Sequence, residues 1–322
     1  MLHGGQDDVA EMKIALSTNW CNRRLESGEA IVDEALSLGF DALELGFRTT
    51  QEQVTGFRAR LDEMPVGSIH AFCPVPVSAP QGHPELFTLA SFDPGARALA
   101  RAHVANNVRF AAGLGADVVV LHAGRVAFSG LFRVNDSETL RATLAKVGHD
   151  TAALAYQRVL SRAKALREKR GAKLLDHFMK EVSLLLPVLE EMGVTLALEN
   201  LPYYEGFPNE AEMARLLEDF KGAPLKAWFD TGHDRVRRMH GWVAQESPLD
   251  GIDGAFAGMH LNDVKDYFDD HLPPGEGKVD FASLKILAEK VGHVVVEPSA
   301  SVARENLAAG LAHIRSIWCD EK

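Results

Sequence analysis

The sequence predicts an α/β protein, a closed (β/α)8 barrel of the TIM type. Three observations predict it. Short apolar stretches alternate with helical patterns until eight strands are counted. Four of those strands follow within a few residues of a glycine that ends a helical pattern, at Gly39, Gly115, Gly193 and Gly292. No GxGxxG follows the first strand, which weighs against an open, doubly wound sheet.

The first eleven residues are polar and acidic, without the basic start and apolar stretch of a secretory signal, and read as a disordered tail. The barrel is expected to occupy 12–322 as one domain. Strands are expected over 12–17, 42–45, 66–70, 118–122, 195–199, 225–230, 257–262 and 294–297. Each is short and continuously apolar, as strands buried on both faces are. Helices are expected over 29–38, 52–64, 94–114, 209–220, 281–290 and 302–318, with Asp93-Pro94 and Asn209 as good helix starts. The stretch 123–194 breaks the rhythm. It reads as a helical insertion between strands 4 and 5, with a loop over 125–134 and helices near 138–147, 150–168 and 172–192. Six basic residues between Arg162 and Lys173 read as a solvated helix face, with a phosphate-attracting rim as the sharper alternative.

Composition bounds the function. A chain of 322 residues with 46% hydrophobic and 25% charged residues can close a sizeable core. No apolar run approaches the roughly 20 residues of a membrane helix, so no membrane partner is expected. A net charge of −11 argues against a large phosphate-tracking surface. The three cysteines, Cys21, Cys73 and Cys319, are odd in number and far apart, which suits a reducing, cytoplasmic compartment.

The strand ends carry the chemistry. Strands three to six and eight finish in His70, His122, Glu199, Asp230 and Glu297, the seventh holds His260 near its end, and in a barrel these ends converge on the face where active sites sit. One such residue is explained by a loop cap. Six together cost repulsion and desolvation unless a cation offsets them. A divalent metal is therefore expected, with manganese, cobalt, magnesium and zinc as candidates. Asp269 and His271 are two apart in a later loop, and with His233 they could form a further metal site or an exposed polar turn. Gly275 and Gly277 imply a tight backbone approach.

With Leu198-Glu199-Asn200, Asp230-Thr231-Gly232-His233, His260-Leu261-Asn262-Asp263 and Gly275-Glu276-Gly277, the chain resembles the xylose isomerase-like barrel superfamily over nearly its whole length. That superfamily holds sugar and sugar-phosphate isomerases and epimerases, and the endonuclease IV family. The resemblance implies one metal on Glu199, Asp230, His260 and Glu297 in a ketose epimerase. In a three-zinc phosphodiesterase acting on abasic DNA it implies those four together with His70, His122, His233, Asp269 and His271. The nuclease's DNA-penetrating segment is missing. The loop after strand 2 reads Glu44-Leu45-Gly46-Phe47-Arg48-Thr49, and Glu44 resembles a glutamate of sugar-acting relatives. The loop over 71–80 is proline-rich and uncharged, and Asp270 stands where the nuclease carries arginine. Those departures argue against a nucleic-acid partner.

The expected activity is therefore metal-dependent isomerisation or epimerisation of a sugar or sugar phosphate through an enediolate, with Glu199 and Glu297 as the proton-transferring pair. The alternatives are the three-zinc nuclease and a non-catalytic sugar-binding or metal-storage barrel. His233, Arg125 and Lys265 could meet hydroxyl or phosphate groups. Tyr203, Tyr204, Trp228 and Phe47 could wall a sugar ring. Relatives are often dimers or tetramers, so a homo-oligomer is compatible with the sequence.

Overall fold

A computed structural model describes residues 12–126, 136–243, 254–269 and 271–318. The expected tail at 1–11, most of the expected loop over 125–134, Asp270 and Cys319 lie outside them. Eight parallel strands close into a barrel: β1 (Ile14–Ser17), β2 (Ala42–Leu45), β3 (Val66–His70), β4 (Val118–Leu121), β5 (Thr195–Glu199), β6 (Leu225–Asp230), β7 (Phe256–Leu261) and β8 (His293–Val296). Each strand pairs with its neighbours in chain order. Closure comes from β1, which pairs Ile14 with Val294 of β8 and Ser17 with Glu44 of β2. His122 and Glu297, expected as the last residues of their strands, each lie one residue past the ladder.

The continuous apolar strands are explained by burial on both faces. Ile14, Leu16, Leu43, Ile69, Val119, Leu196, Leu198, Met259, Leu261 and Val296 point outward into the main core beneath the helices. Ala15, Val118, Val120, Ala197, Trp228 and Val295 point inward and fill the barrel. Cys21 and Cys73 are buried and unpaired.

The jacket follows local signals. Helix α1 (Gly28–Leu38) starts where the Ser27 side chain accepts from Ala30 N, and ends at Gly39 with φ +88°. Helix α2 (Gln51–Ala59) opens on a Thr50/Gln53 capping box, and α3 (Pro94–Ala112) on the Asp93 side chain with Pro94 in the first turn. Between β4 and β5 lie α4 (Asp136–Lys146) and the 39-residue α5 (Leu154–Met192). The break expected at 169–171 is absent. A Cβ on Gly171 would come 2.5 Å from Glu212 Oε1, so this glycine admits a neighbouring helix instead of ending its own. Arg167, four residues earlier, donates to the same carboxylate at 2.6 Å. Arg162, Lys164, Lys169 and Lys173 are exposed, the solvated face expected of that run. The second half of α5 joins the main core. The first half joins α4 in a satellite cluster with Tyr204 and Trp242.

The remaining helices are α6 (Glu210–Asp219), α7 (Thr231–Met239), α8 (Phe281–Ala288) and α9 (Arg304–Trp318). Helix α7 was not anticipated. It begins directly on β6, with the Asp230 side chain accepting from His233 N at 2.7 Å. Gly232 permits this start, because a Cβ there would collide with Asn262 Oδ1. No described helix is long and apolar enough to cross a membrane.

Candidate metal centre

Strand alternation sets the centre. Two residues beyond the inward-facing Ala15, Ala42, Ser68, Val120, Ala197, Trp228, Gly258 and Val295 stand Ser17, Glu44, His70, His122, Glu199, Asp230, His260 and Glu297. All eight are at least nine-tenths buried. A ring of polar side chains thus caps the apolar filling at the carboxyl ends of the strands.

All nine residues singled out as ligands meet there. They form three groups whose potential ligand atoms lie within 4.8 Å of one another: His70–His122–Glu199, His233–Asp269–His271, and Glu199–Asp230–His260–Glu297. Glu199 joins two of them and reaches the third. Its Oε2 lies 3.2 Å from His70 Nε2 and 3.0 Å from His122 Nε2, and its Oε1 lies 3.2 Å from His233 Nδ1. His260 Nδ1 lies 3.5 Å from Glu199 Oε1, 3.7 Å from Asp230 Oδ2 and 3.2 Å from Glu297 Oε2. Asp269 Oδ2 lies 3.2 Å from both His233 Nε2 and His271 Nε2.

A second set of contacts, largely unread in the sequence, orients these groups. Glu44 accepts from His260 Nε2 at 3.0 Å and is itself held by the Ser68 hydroxyl at 2.9 Å, so the other ring nitrogen faces the cluster. His70, His233 and His271 each place Nδ1 on a backbone carbonyl: Ala71, Asn200 and Glu297, at 2.9, 2.8 and 3.0 Å. Asn262 donates to Asp230 at 2.7 Å and Asn19 to Glu297 at 3.0 Å. The Gly275–Gly277 turn wraps the Asp263 carboxylate, which accepts from both glycine amides at 3.0 and 2.7 Å, the close backbone approach the glycines implied.

The electrostatics are those of a site short of positive charge. Burial opposes ionisation of Glu199, yet the His122 and His260 imidazoles hold its carboxyl well below the usual range. Burial pushes Asp230 up to about 6, against the pull of His233. Burial disfavours protonated His271, but Asp269 lifts its pKa to about 10. His260 is likewise raised, by Glu297 and Glu44 against burial. Glu199 Oε1, His260 Nδ1, His122 Nδ1 and Asp269 Oδ1 are buried without a hydrogen-bond partner. Such orphaned atoms cost about 1–3 kcal/mol each. Carboxylate and imidazole donors aimed inward with unused lone pairs fit a divalent cation.

The suggested substrate contacts fare unevenly. Arg125 stacks 3.6 Å over Tyr203 and is engaged by Glu85 at 2.9 Å, while Lys265 is exposed. Tyr204 belongs to the satellite core, and Trp228, 1% exposed, packs beneath His260 as floor. These two are corrected from walls to packing residues. Phe47 stands edge-on to His70 at 5.2 Å and borders the site. Exposure concentrates on Asp269 and His271, whose side chains are 23% and 25% exposed, so the centre opens on that side.

Comparison with known proteins bears on the fold. The family described as "Xylose isomerase-like TIM barrel" matches residues 32–317. An uncharacterized protein of Methanocaldococcus jannaschii, MJ1614, is 29% identical over 122 residues, covering 38% of this chain and 45% of that relative. The match thus spans less than half the length of that relative. The crystal structure of a D-tagatose 3-epimerase-like protein superposes with a TM-score of 0.63 at 20% identity, covering 95% of this chain and 99% of the other. The TTHB071 protein of Thermus thermophilus, soaked with zinc chloride, superposes with a TM-score of 0.57 at 20% identity, covering 96% and 98%.

Proposed function

Because the chain belongs to the xylose isomerase-like TIM barrel family, we propose that it is a divalent-metal-dependent isomerase or epimerase of a sugar or sugar phosphate. The observation that carries this reading is the buried Glu199–Asp230–His260–Glu297 cluster, whose two glutamates come from strands on either side of it. A proton beside a carbonyl is weakly acidic, so its removal needs a positioned base and a stabilised enediolate. Glu199, held ionised by its imidazole neighbours, is suited to take the proton, and Glu297, which His260 and His271 hold below the usual range against burial, would return from the other side a proton taken up from solvent. Asn19 and Glu44 would keep Glu297 and His260 in register during the transfer. Asp230 and His260 would serve as ligands only. The bound metal would supply Lewis-acid stabilisation of the developing oxyanion. The epimerase-like and zinc-soaked structures of the same fold support the reading without naming this chain's sugar.

A second reading is favoured by one specific observation: the His70–His122–Glu199 and His233–Asp269–His271 groups are complete, and a one-metal epimerase leaves them unemployed. With ions there, the three groups, two of which share Glu199, would hold them, and the metals would supply Lewis-acid chemistry suited to phosphodiester hydrolysis. Two measurements on the purified protein separate the readings. About one ion per chain, with solvent-proton exchange into a panel of ketoses and ketose phosphates, is the expected result. About three zinc ions with cleavage of an abasic duplex, and no exchange, would overturn it.

A further inference from the structure

Two arginines at the mouth of the barrel lack the counter-charges that the chain gives their neighbours. Arg24 pairs with Glu34 at 3.5 Å and lies 4.6 Å over Trp20, and Arg125 is held by Glu85. Among the described residues, Arg23 and Arg48 have no carboxylate within ion-pair distance. Arg48 Nε is buried without an acceptor. Its guanidinium lies 5.1 Å over Phe47, whose ring stands against His70 of the metal-capable cluster.

The backbone carries these two residues on joined loops. The Thr18 hydroxyl accepts from Gly46 N at 2.8 Å and lies 3.4 Å from the Thr49 hydroxyl. Asn22 bonds the same Thr49 hydroxyl at 3.1 Å, and turning its amide adds bonds to Thr18 O and Thr49 N. Arg23 follows Asn22 and Arg48 precedes Thr49, so a buried polar knot fixes the base of both side chains. Burial, and then the nearby Arg23 charge, lowers the pKa of Arg48, while Glu297 acts in the opposite sense. Arg48 is half-buried and Arg23 exposed, and among the described residues no carboxylate pairs with either of these like charges.

We propose that Arg23 and Arg48 form a phosphoryl subsite, so that the substrate is a sugar phosphate whose carbon skeleton runs from these arginines to the Glu199–Glu297 pair. This deepens, and rests on, the sugar isomerase or epimerase reading. A phosphate monoester carries about −1.5 to −2 charges at pH 7, which suits two guanidinium forks. The two loops follow the carboxyl ends of β1, which pairs with β8, and of β2, and Arg48 lies near enough to Glu297 to feel its charge.

The test is calorimetric titration of inorganic phosphate into metal-loaded wild type, Arg48→Met, Arg23→Met and, as a control, Arg24→Met. Loss of about tenfold or more in affinity for each of the first two, with the control unchanged, is the expected result. Unchanged affinity in both variants would show phosphate held elsewhere, on the ions themselves, and overturn the subsite. So would absence of binding to wild type up to about 10 mM. The titration does not depend on turnover. Arginine-dependent phosphate binding without proton exchange in any sugar phosphate would keep the subsite and end the epimerase reading. Exchange confined to unphosphorylated ketoses, with arginine-insensitive binding, would do the reverse.

Discussion

The inside of this barrel holds two layers that differ by one step of strand alternation. The lower layer, with Ala15, Val120, Ala197, Trp228 and Val295, is filled mainly by apolar packing, with Ser68 donating up to Glu44. The upper layer, two residues on, consists of Ser17, His122, Glu199, Asp230 and Glu297 with three more polar neighbours, equally buried. Its inner atoms are left over: Glu199 Oε1 and His260 Nδ1 find no hydrogen-bond partner. Backbone, burial and closure are shared, so the difference lies in chemistry. The lower layer leaves one indole N–H, Trp228 Nε1, without a partner, whereas the upper layer gathers carboxylate and imidazole groups with unused lone pairs, the kind that suit a cation.

The comparison breaks first at Glu199, which touches all three groups. Glu199→Gln keeps the volume and removes the charge. Metal content measured by mass spectrometry should fall by at least one ion, and proton exchange into the ketose substrate by about 10²–10⁴-fold. Full metal content with wild-type exchange would remove Glu199 from both the metal site and the proton transfer. The complementary cut is Trp228→Ala in the lower layer. It should cost about 3–5 kcal/mol of stability, read by denaturant unfolding, because a large fully buried ring is lost. Metal stoichiometry at low temperature should persist. If Trp228→Ala empties the site while leaving stability intact, the two layers are not separable as described.

How far this division was legible follows from the range of each contact. The strand-end residues could be read because alternation is local: once Ala197 is inward, Glu199 is too. Glycines at helix ends, such as Gly39 and Gly193, are equally local signals. The orienting partners were not legible. Asn19 and Ser17 meet Glu297 across 278 and 280 residues, at the seam where β1 closes on β8. Glu44 reaches His260 across 216 residues. Nothing in the sequence near Glu44 distinguishes a substrate contact from a clamp on a histidine ring. Helix α7 was missed for the same reason. Gly232 reads as a turn until Asn262, on the neighbouring strand, shows what the missing side chain makes room for. Conversely, Gly171 reads as a break until Glu212 of α6 is seen against it.

The smallest effect probes what holds the upper layer when no cation does. Asp269 raises the folded-state pKa of His271 to about 10 against burial. A raised imidazole pKa adds stability that is complete below the unfolded value of about 6.5 and is lost as pH rises through the folded value. Chelator-stripped protein should therefore lose melting temperature between about pH 7 and 10, on the order of a few degrees. A bound ion must displace that proton, since the same nitrogen cannot hold both. Metal-loaded protein should lack this decline, and metal uptake at pH 7 in weak buffer should acidify the solution. Parallel melting curves with and without chelator, together with no proton release, would mean that Asp269 and His271 form an ordinary ion pair and take no part in holding a cation.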